Sequence, residues 1–268
     1  MAPLTFDLLI PTRGRPDNIL RVAKSARDSA DDPKRVTLCF WLDIDDEASA
    51  AVEGELRKEM EGTIRETIFL RGPHVPLPMT YNEMAQWVHG DVMMYAADDI
   101  DFVTKGWDTA VEAEFQKVKD RALLVWCHDP ARGDEVFPDH GFISRWSRMV
   151  LKYVFPMLPA DPEGGRNVPI YFADIWLNDL YRLLDRRVYL PDITISHRHW
   201  YKTEPKQGER AALDDNYVRT AILTHWRMRP TDLRNRDVLE AHANLLREWM
   251  AWVEGGGLER VVPDDITP

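Results

Sequence analysis

Only two cysteines occur among 268 residues, Cys39 and Cys127. Both sit inside apolar runs, so they read as buried thiols, and a disulfide framework of the kind that staples small secreted domains is excluded. No apolar stretch reaches the roughly 20 residues that a membrane-spanning helix needs. The start, Met1 to Asp7, has neither a basic segment nor a long apolar run, so no secretory leader is expected and the cytoplasm is the expected location. The chain also lacks a Gly-rich phosphate cradle of the P-loop type, an internal repeat and any low-complexity tract.

What is present describes a globular protein. The apolar fraction of 44% and charged fraction of 29% are ordinary for a soluble domain. The length allows one large domain, or one domain with an appendage. A net charge of −11 argues against indiscriminate nucleic-acid binding, but it is unevenly spread. Residues Tyr181 to Arg236 hold twelve Lys/Arg against seven Asp/Glu, a local balance of +5, and three histidines, His197, His199 and His225. That stretch can face an anionic acceptor, or be a solvated surface with scattered ion pairs. Ten tryptophans supply large flat faces, which serve core packing or stacking on rings and sugars.

The first hundred residues alternate strand and helix, the pattern of a mostly parallel, helix-covered sheet. Thr5–Ile10 reads as a strand, Pro11–Pro16 as a turn with Pro16 opening a helix, and Val36–Leu42 as a second strand. Ala48, Val52, Leu56 and Met60 recur every four residues, as on one helix face. Thr67–Leu70 is a third strand and Gly72–Pro78 a Pro-rich turn. Thr80 and Glu83 form a capping-box pattern for the next helix, and Asp91–Ala96 is a fourth strand. Beyond it, Ala122–Cys127 is a strand, Pro130–Asp139 a polar loop and Asp161–Asn167 a turn-rich stretch. Asp174–Leu184 is helical, Val188–Leu190 and Ile193–His197 are extended, and Val238 to Trp252 mark an amphipathic helix stopped by Gly255–Gly257. Residues 1–200 are expected to form the main domain, with 201–268 a loop and helix packed on it.

The segment Val92-Met-Met-Tyr-Ala-Ala-Asp98-Asp99-Ile-Asp101 carries the most chemistry. An apolar run ends in three carboxylates, which repel one another unless a cation sits among them. Hard oxygen ligands suit Mg²⁺ or Mn²⁺, ions that commonly bridge to phosphates. A solvated acidic turn is the plainer alternative. Parallel strands share one C-terminal edge, where open α/β sheets bind ligands, so the acids after the second strand, Asp43 to Glu47, can face the same cleft.

The order Leu9-Ile-Pro-Thr-Arg-Gly-Arg-Pro16, an acid-ended second strand, Asn82 on a helix, then Asp98-Asp-Ile-Asp101 resembles the GT-A glycosyltransferases, in particular the family-2-like group, over roughly residues 5–200. The resemblance implies a Rossmann-like α/β GT-A fold with a helical C-terminal extension, and a nucleotide-sugar donor such as a UDP-sugar. Pro11, Thr12 and Arg13 would line the nucleotide pocket. Asp43, or else Asp45, would contact the base or ribose; Arg15 would approach the diphosphate, with Asn82 and Asp98 on the donor side. Asp99 and Asp101 match the Asp-x-Asp metal motif. Tyr171-Phe-Ala-Asp174-Ile-Trp176 resembles the segment that supplies the catalytic base of the inverting reaction; Asp174 is that base or a helix cap, and Asp179 is the alternative. A histidine completes similar metal sites. Alternate strand residues point the same way, so His197 and His199 can share one face, as metal ligands or as a surface or phosphate-contacting pair; His197 follows the apolar strand directly. Two positions depart from the family. Asp-Ile-Asp-Asp-Glu replaces the usual Asp-Gly-Ser after the second strand. Tyr81 replaces an Arg, so the diphosphate contact would fall to Arg13, Arg15 or Lys202.

The leading expectation is therefore a metal-dependent glycosyltransferase. Its compact size is similar to that of bacteriophage transferases that act on hydroxymethylated bases in DNA, and the basic segment fits such an acceptor. A phage origin would place it in the host cytoplasm. A non-catalytic glycan- or partner-binding module is the second expectation, and a metal-dependent phosphotransferase or nuclease the third.

Overall fold

The computed structural model describes residues 2–132, 137–155, 157–161, 164–167, 170–198 and 233–260. Its centre is an eight-stranded sheet. The strands in chain order are β1 (Phe6–Thr12), β2 (Val36–Asp43), β3 (Glu66–Gly72), β4 (Val92–Tyr95), β5 (Ile100–Phe102), β6 (Leu124–His128), β7 (Gly141–Ser144) and β10 (Arg187–His197). Strands β8 (Met157–Asp161) and β9 (Gly164–Asn167) pair separately as an antiparallel hairpin. Across the large sheet the order is β3-β2-β1-β4-β7-β6-β10-β5. The four strands β3, β2, β1 and β4 run parallel, as do β6 and β10, while β7 and β5 run against their neighbours.

Burial on both faces explains why β1 and β2 are nearly unbroken apolar runs, as is usual for parallel strands covered by helices. Phe6, Leu8 and Ile10 of β1 point to one core, and Leu9 points to the other. The first core is closed by α1 (Pro16–Ser29), α3 (Glu53–Met60) and α5 (Trp107–Gln116), through Ile19, Val22, Leu56, Trp107 and Phe115. The second is closed by α4 (Leu77–Met84), α6 (Arg145–Leu151), α7 (Ile170–Leu183) and α8 (Leu233–Glu254), through Tyr81, Met84, Leu151, Leu177, Leu180 and Leu246. No helix among the described residues is long and apolar enough to cross a membrane.

Several elements differ from the sequence expectation. The first strand continues through Pro11 and Thr12, which pair with Trp41 and Leu42, so Arg13 to Arg15 alone make the turn. Gly14, at φ 64°, takes the left-handed conformation that this turn needs. The helix expected from Ala48 to Met60 is two pieces, α2 (Glu47–Ala50) and α3. Thr80 is no cap: α4 starts three residues earlier, after Pro76, and buries Thr80 in its interior. Prolines at its start preset φ and need no donor there, which is why the Pro-rich run enters the helix. The turn-rich stretch around Asp161 forms the β8–β9 hairpin. Val188–Leu190 and Ile193–His197 join as β10, whose register against β6 shifts between Leu190 and Thr194. Pro191, which cannot donate to a ladder, lies inside that irregularity. Strand β5 was not evident because its partner among the described residues, β10, lies far along the chain. Gly257 opens a further short helix, α9 (Gly257–Arg260), beyond the expected stop.

Candidate active site

The strand directions bring to one edge of the sheet the ends of β1, β2, β4, β6 and β10 and the beginnings of β5 and β7. Most of the charged residues singled out above lie on this edge.

Its first part is a lattice of ion pairs. Arg13, in the turn after β1, reaches the Asp43 carboxylate at the end of β2 and forks Asp45 at 2.8 and 3.0 Å. His74 Nδ1 lies 2.7 Å from Asp43. The Gly14 N–H donates to Asp46 Oδ2 at 2.7 Å, and Asp46 also accepts from Ser49 N, so one carboxylate fixes both the turn and the start of α2. Gly72 is needed beside this group, since a Cβ there would fall 2.1 Å from the Trp41 ring.

Asp98 is buried, accepts from Thr12 Oγ1 at 2.7 Å and pairs with Arg15 Nη1 at 2.9 Å. Arg15 also reaches Asp99 Oδ2 at 3.2 Å, and the other Asp99 oxygen lies 3.2 Å from His197 Nε2. The Arg198 N–H donates to the Asp99 carbonyl at 2.7 Å, which ties the end of β10 to this turn. Burial pushes the Asp99 carboxyl up, but the hydrogen bond and charge of His197, with Arg15, outweigh it and hold it at about 2. Burial pulls the His197 imidazole down; Asp99, helped by Asp129 and Asp139, more than compensates and raises it.

Asp101 does not join Asp99. One of its oxygens accepts from Arg21 Nε on α1 at 2.9 Å, and the other is held by Arg198 Nε. Successive residues of a strand alternate between faces, but Asp99 precedes β5 in a turn, so spacing alone does not bring the two carboxylates together. Asn82 is also committed elsewhere. Its Oδ1 accepts from the backbone of Val154 and Phe155 at 2.9 and 3.0 Å, and its Nδ2 donates to the Phe155 carbonyl at 2.8 Å. The side chain expected on the donor side thus holds the segment after α6. His199 and Lys202 lie outside the described residues, as does most of the basic stretch between 199 and 232.

The second part of the edge was largely missed by sequence reasoning. His128 and Asp129 end β6, and Asp139 and His140 precede β7. Asp129 Oδ1 accepts from the backbone N–H groups of Ala131 and His197, both at 3.0 Å, while its Oδ2 is buried with no hydrogen-bond partner among the described residues. Asp139 is paired with Arg132. His140 stands against His197, ring centroids 4.9 Å apart, and neither of its sealed nitrogens has a hydrogen-bond partner. Burial and the neighbouring His197 push its imidazole down to about 4, so it is neutral at physiological pH. One ligand atom each from Asp129, Asp139 and His197 lies within 4.8 Å of the others. Carboxylates beside neutral imidazole fit Mn²⁺ or Mg²⁺ better than a soft metal, and the orphaned Asp129 oxygen and His140 nitrogens are groups that a cation would satisfy. The signal was available: His-Asp and Asp-His pairs flank the polar loop at two strand ends.

Asp174 lies in the second turn of α7, not at its N-terminus, so it is not the helix cap. Its Oδ1 accepts from Ile175 N at 2.8 Å. Burial, reinforced by the nearby charge of Asp139, raises its carboxyl to about 7, although the Ile175 N–H and Arg132 oppose this. A carboxyl poised near neutrality suits proton transfer. Asp179 lies a turn further on and pairs with Arg182 at 3.1 Å.

The fold is similar to that of solved GT-A-type glycosyltransferases. The mannosyltransferase PcManGT from Pyrobaculum calidifontis, solved in complex with GDP-Man and Mn²⁺, superposes with a TM-score of 0.60 at 12% identity, over 98% of this chain and 78% of that one. Residues 1–349 of S. aureus TarS in complex with UDP-GlcNAc give 0.52 at 12% identity, over 85% and 74%. The same TarS fragment with UDP gives 0.53. No protein-family model and no characterised protein matches the chain by sequence.

Proposed function

We propose that this protein is a metal-dependent, inverting glycosyltransferase that moves a sugar from a nucleotide-sugar donor to an acceptor hydroxyl. The observation that carries the reading is the gathering of Arg15, Asp98, Asp99, His197 and the near-neutral Asp174 at the ligand-binding edge of a GT-A-type sheet. Arg13, Asp43 and His74, with Pro11 and Thr12 at the end of β1, would receive the nucleotide. Arg15, now paired with Asp98 and Asp99, would meet the diphosphate once drawn from them. Asp99 and His197 would hold Mn²⁺ or Mg²⁺, which when bound neutralises the departing diphosphate.

In the transfer, the acceptor oxygen bonds to the anomeric carbon as the bond to the diphosphate oxygen breaks on the opposite face. The hydroxyl proton passes to the Asp174 carboxylate, whose orientation the Ile175 N–H fixes. The acceptor in this reading is a hydroxymethylated base in bacteriophage DNA. Support comes from the +5 balance of Tyr181–Arg236 within a chain of net charge −11, and a flipped base can stack on an aromatic side chain.

Calorimetric titration with UDP and GDP, with and without Mn²⁺, tests the donor half. Metal-dependent binding that is lost in Asp99→Asn supports it. No binding of any nucleoside diphosphate overturns it and leaves a glycan- or partner-binding module. Phosphodiester hydrolysis without sugar transfer points instead to a nuclease. Equal binding to DNA and to an uncharged polymer at low salt overturns the DNA acceptor alone.

A further inference from the structure

The acids and imidazoles of the second part of the edge go beyond what an Asp-x-Asp strand end requires. We propose that they give the chain a divalent-cation site that is complete without nucleotide, built from Asp129, Asp139 and His197 with His140 alongside. The placement of this site beside the donor pocket rests on the glycosyltransferase reading; the ligand set itself does not.

Three observations carry it. The ligand atoms of Asp129, Asp139 and His197 lie within 4.8 Å of one another. An ion with bonds of about 2.1 Å separates opposite ligands by about 4.2 Å, so the group is within about half an ångström of closing on one. Asp129 Oδ2 is buried and accepts nothing. A buried carboxylate oxygen with no donor costs free energy that a cation would return. His140 then stands against His197 with two sealed nitrogens that have no hydrogen-bond partner among the described residues.

The cluster also shows what stands in for the ion. Arg132 grips Asp139, and the short 3-10 turn Pro130–Arg132 hangs from Asp129, whose Oδ1 accepts from Ala131 N. The Arg132 guanidinium and the ion therefore compete for the same carboxylate. Binding requires Arg132 to release at least one Asp139 oxygen, so the ion and the 130–132 turn are coupled.

The test is Mn²⁺ binding to the full chain, with no nucleotide present, followed by loss of the free-ion electron paramagnetic resonance signal. One ion per chain is expected. Its affinity should fall by about tenfold or more in Asp129→Asn and in His140→Gln, and pulsed measurements on bound Mn²⁺ should detect imidazole nitrogen. Arg132→Gln should bind more tightly, a gain that misfolding cannot produce. Absence of Mn²⁺ and Mg²⁺ binding without nucleotide overturns the proposal, as does unchanged affinity in Asp129→Asn. If Mn²⁺ binds only when UDP or GDP is added, this inference falls and the donor reading stands. If Mn²⁺ binds alone and no nucleotide follows it, the inference stands and the donor reading falls.

Discussion

The two parts of the candidate site use the same residue types for opposite ends. From Arg13 to Asp101 the carboxylates are neutralised in pairs: Arg13 with Asp43 and Asp45, Arg15 with Asp98 and Asp99, Arg21 with Asp101. In the second part Asp139 is paired with Arg132, but Asp129 and Asp174 are less completely matched. Among the described residues one Asp129 oxygen and both His140 nitrogens have no hydrogen-bond partner, and Asp174 is pushed to about 7. Paired charges fix a shape and hold their ionisation. Unpaired buried groups store free energy that a cation or a proton in transit can release. The first part therefore reads as a preorganised receptor and the second as the place where something is added or moved.

The sharpest way to break this contrast is Asp174→Asn. Transfer should fall by about two to four orders of magnitude in single turnovers, with nucleotide affinity unchanged. Equal losses of both would mean that Asp174 only shapes the pocket. Next in size is a comparison of neighbours. Asp99→Asn should weaken metal-dependent nucleotide binding by about tenfold to a hundredfold, whereas Asp101→Asn, tied to Arg21 and Arg198, should cost less than tenfold. A reversal of that order in calorimetry would return the metal role to Asp101.

Asn82→Ala should destabilise by about 1–3 kcal/mol, because the buried backbone groups of residues 154 and 155 lose their partner. Activity per folded molecule should stay near that of the parent. A selective loss of donor affinity would instead give Asn82 the contact that its sequence position suggested.

The remaining effect is on stability against pH. A carboxyl raised to about 7 in the folded state binds its proton more tightly there than unfolded, where its value is 3.8. Stability therefore falls as pH rises between those values and levels off above about 7. Thermal melts should show Asp174→Asn gaining on the parent at pH 8 relative to pH 5. Asp99, held at about 2, works the other way: its stabilisation is present above about 4 and lost as pH falls toward about 2. The transfer rate of the parent should rise with pH through about 7 as Asp174 sheds its proton.

By itself the sequence determined the alternating strands and helices of the first hundred residues, because burial on both faces of β1 and β2 demands apolar runs and covering helices demand a periodic face. It also marked Asp43 and Asp98 at strand ends, where a buried carboxylate needs a cationic partner, here Arg13 and Arg15. Tertiary structure alone decided the rest. Strand β5 exists only through its pairing with β10, and Asp129, Asp139 and His140 meet His197 only because β6, β7 and β10 are neighbours in the sheet. Asp99 and Asp101 are two residues apart yet bind different partners. Asn82 meets the backbone of Phe155 across 73 positions of chain. Local pattern reports which face a side chain needs, whereas the partner it finds depends on strand order, and strand order is set by contacts distant along the chain.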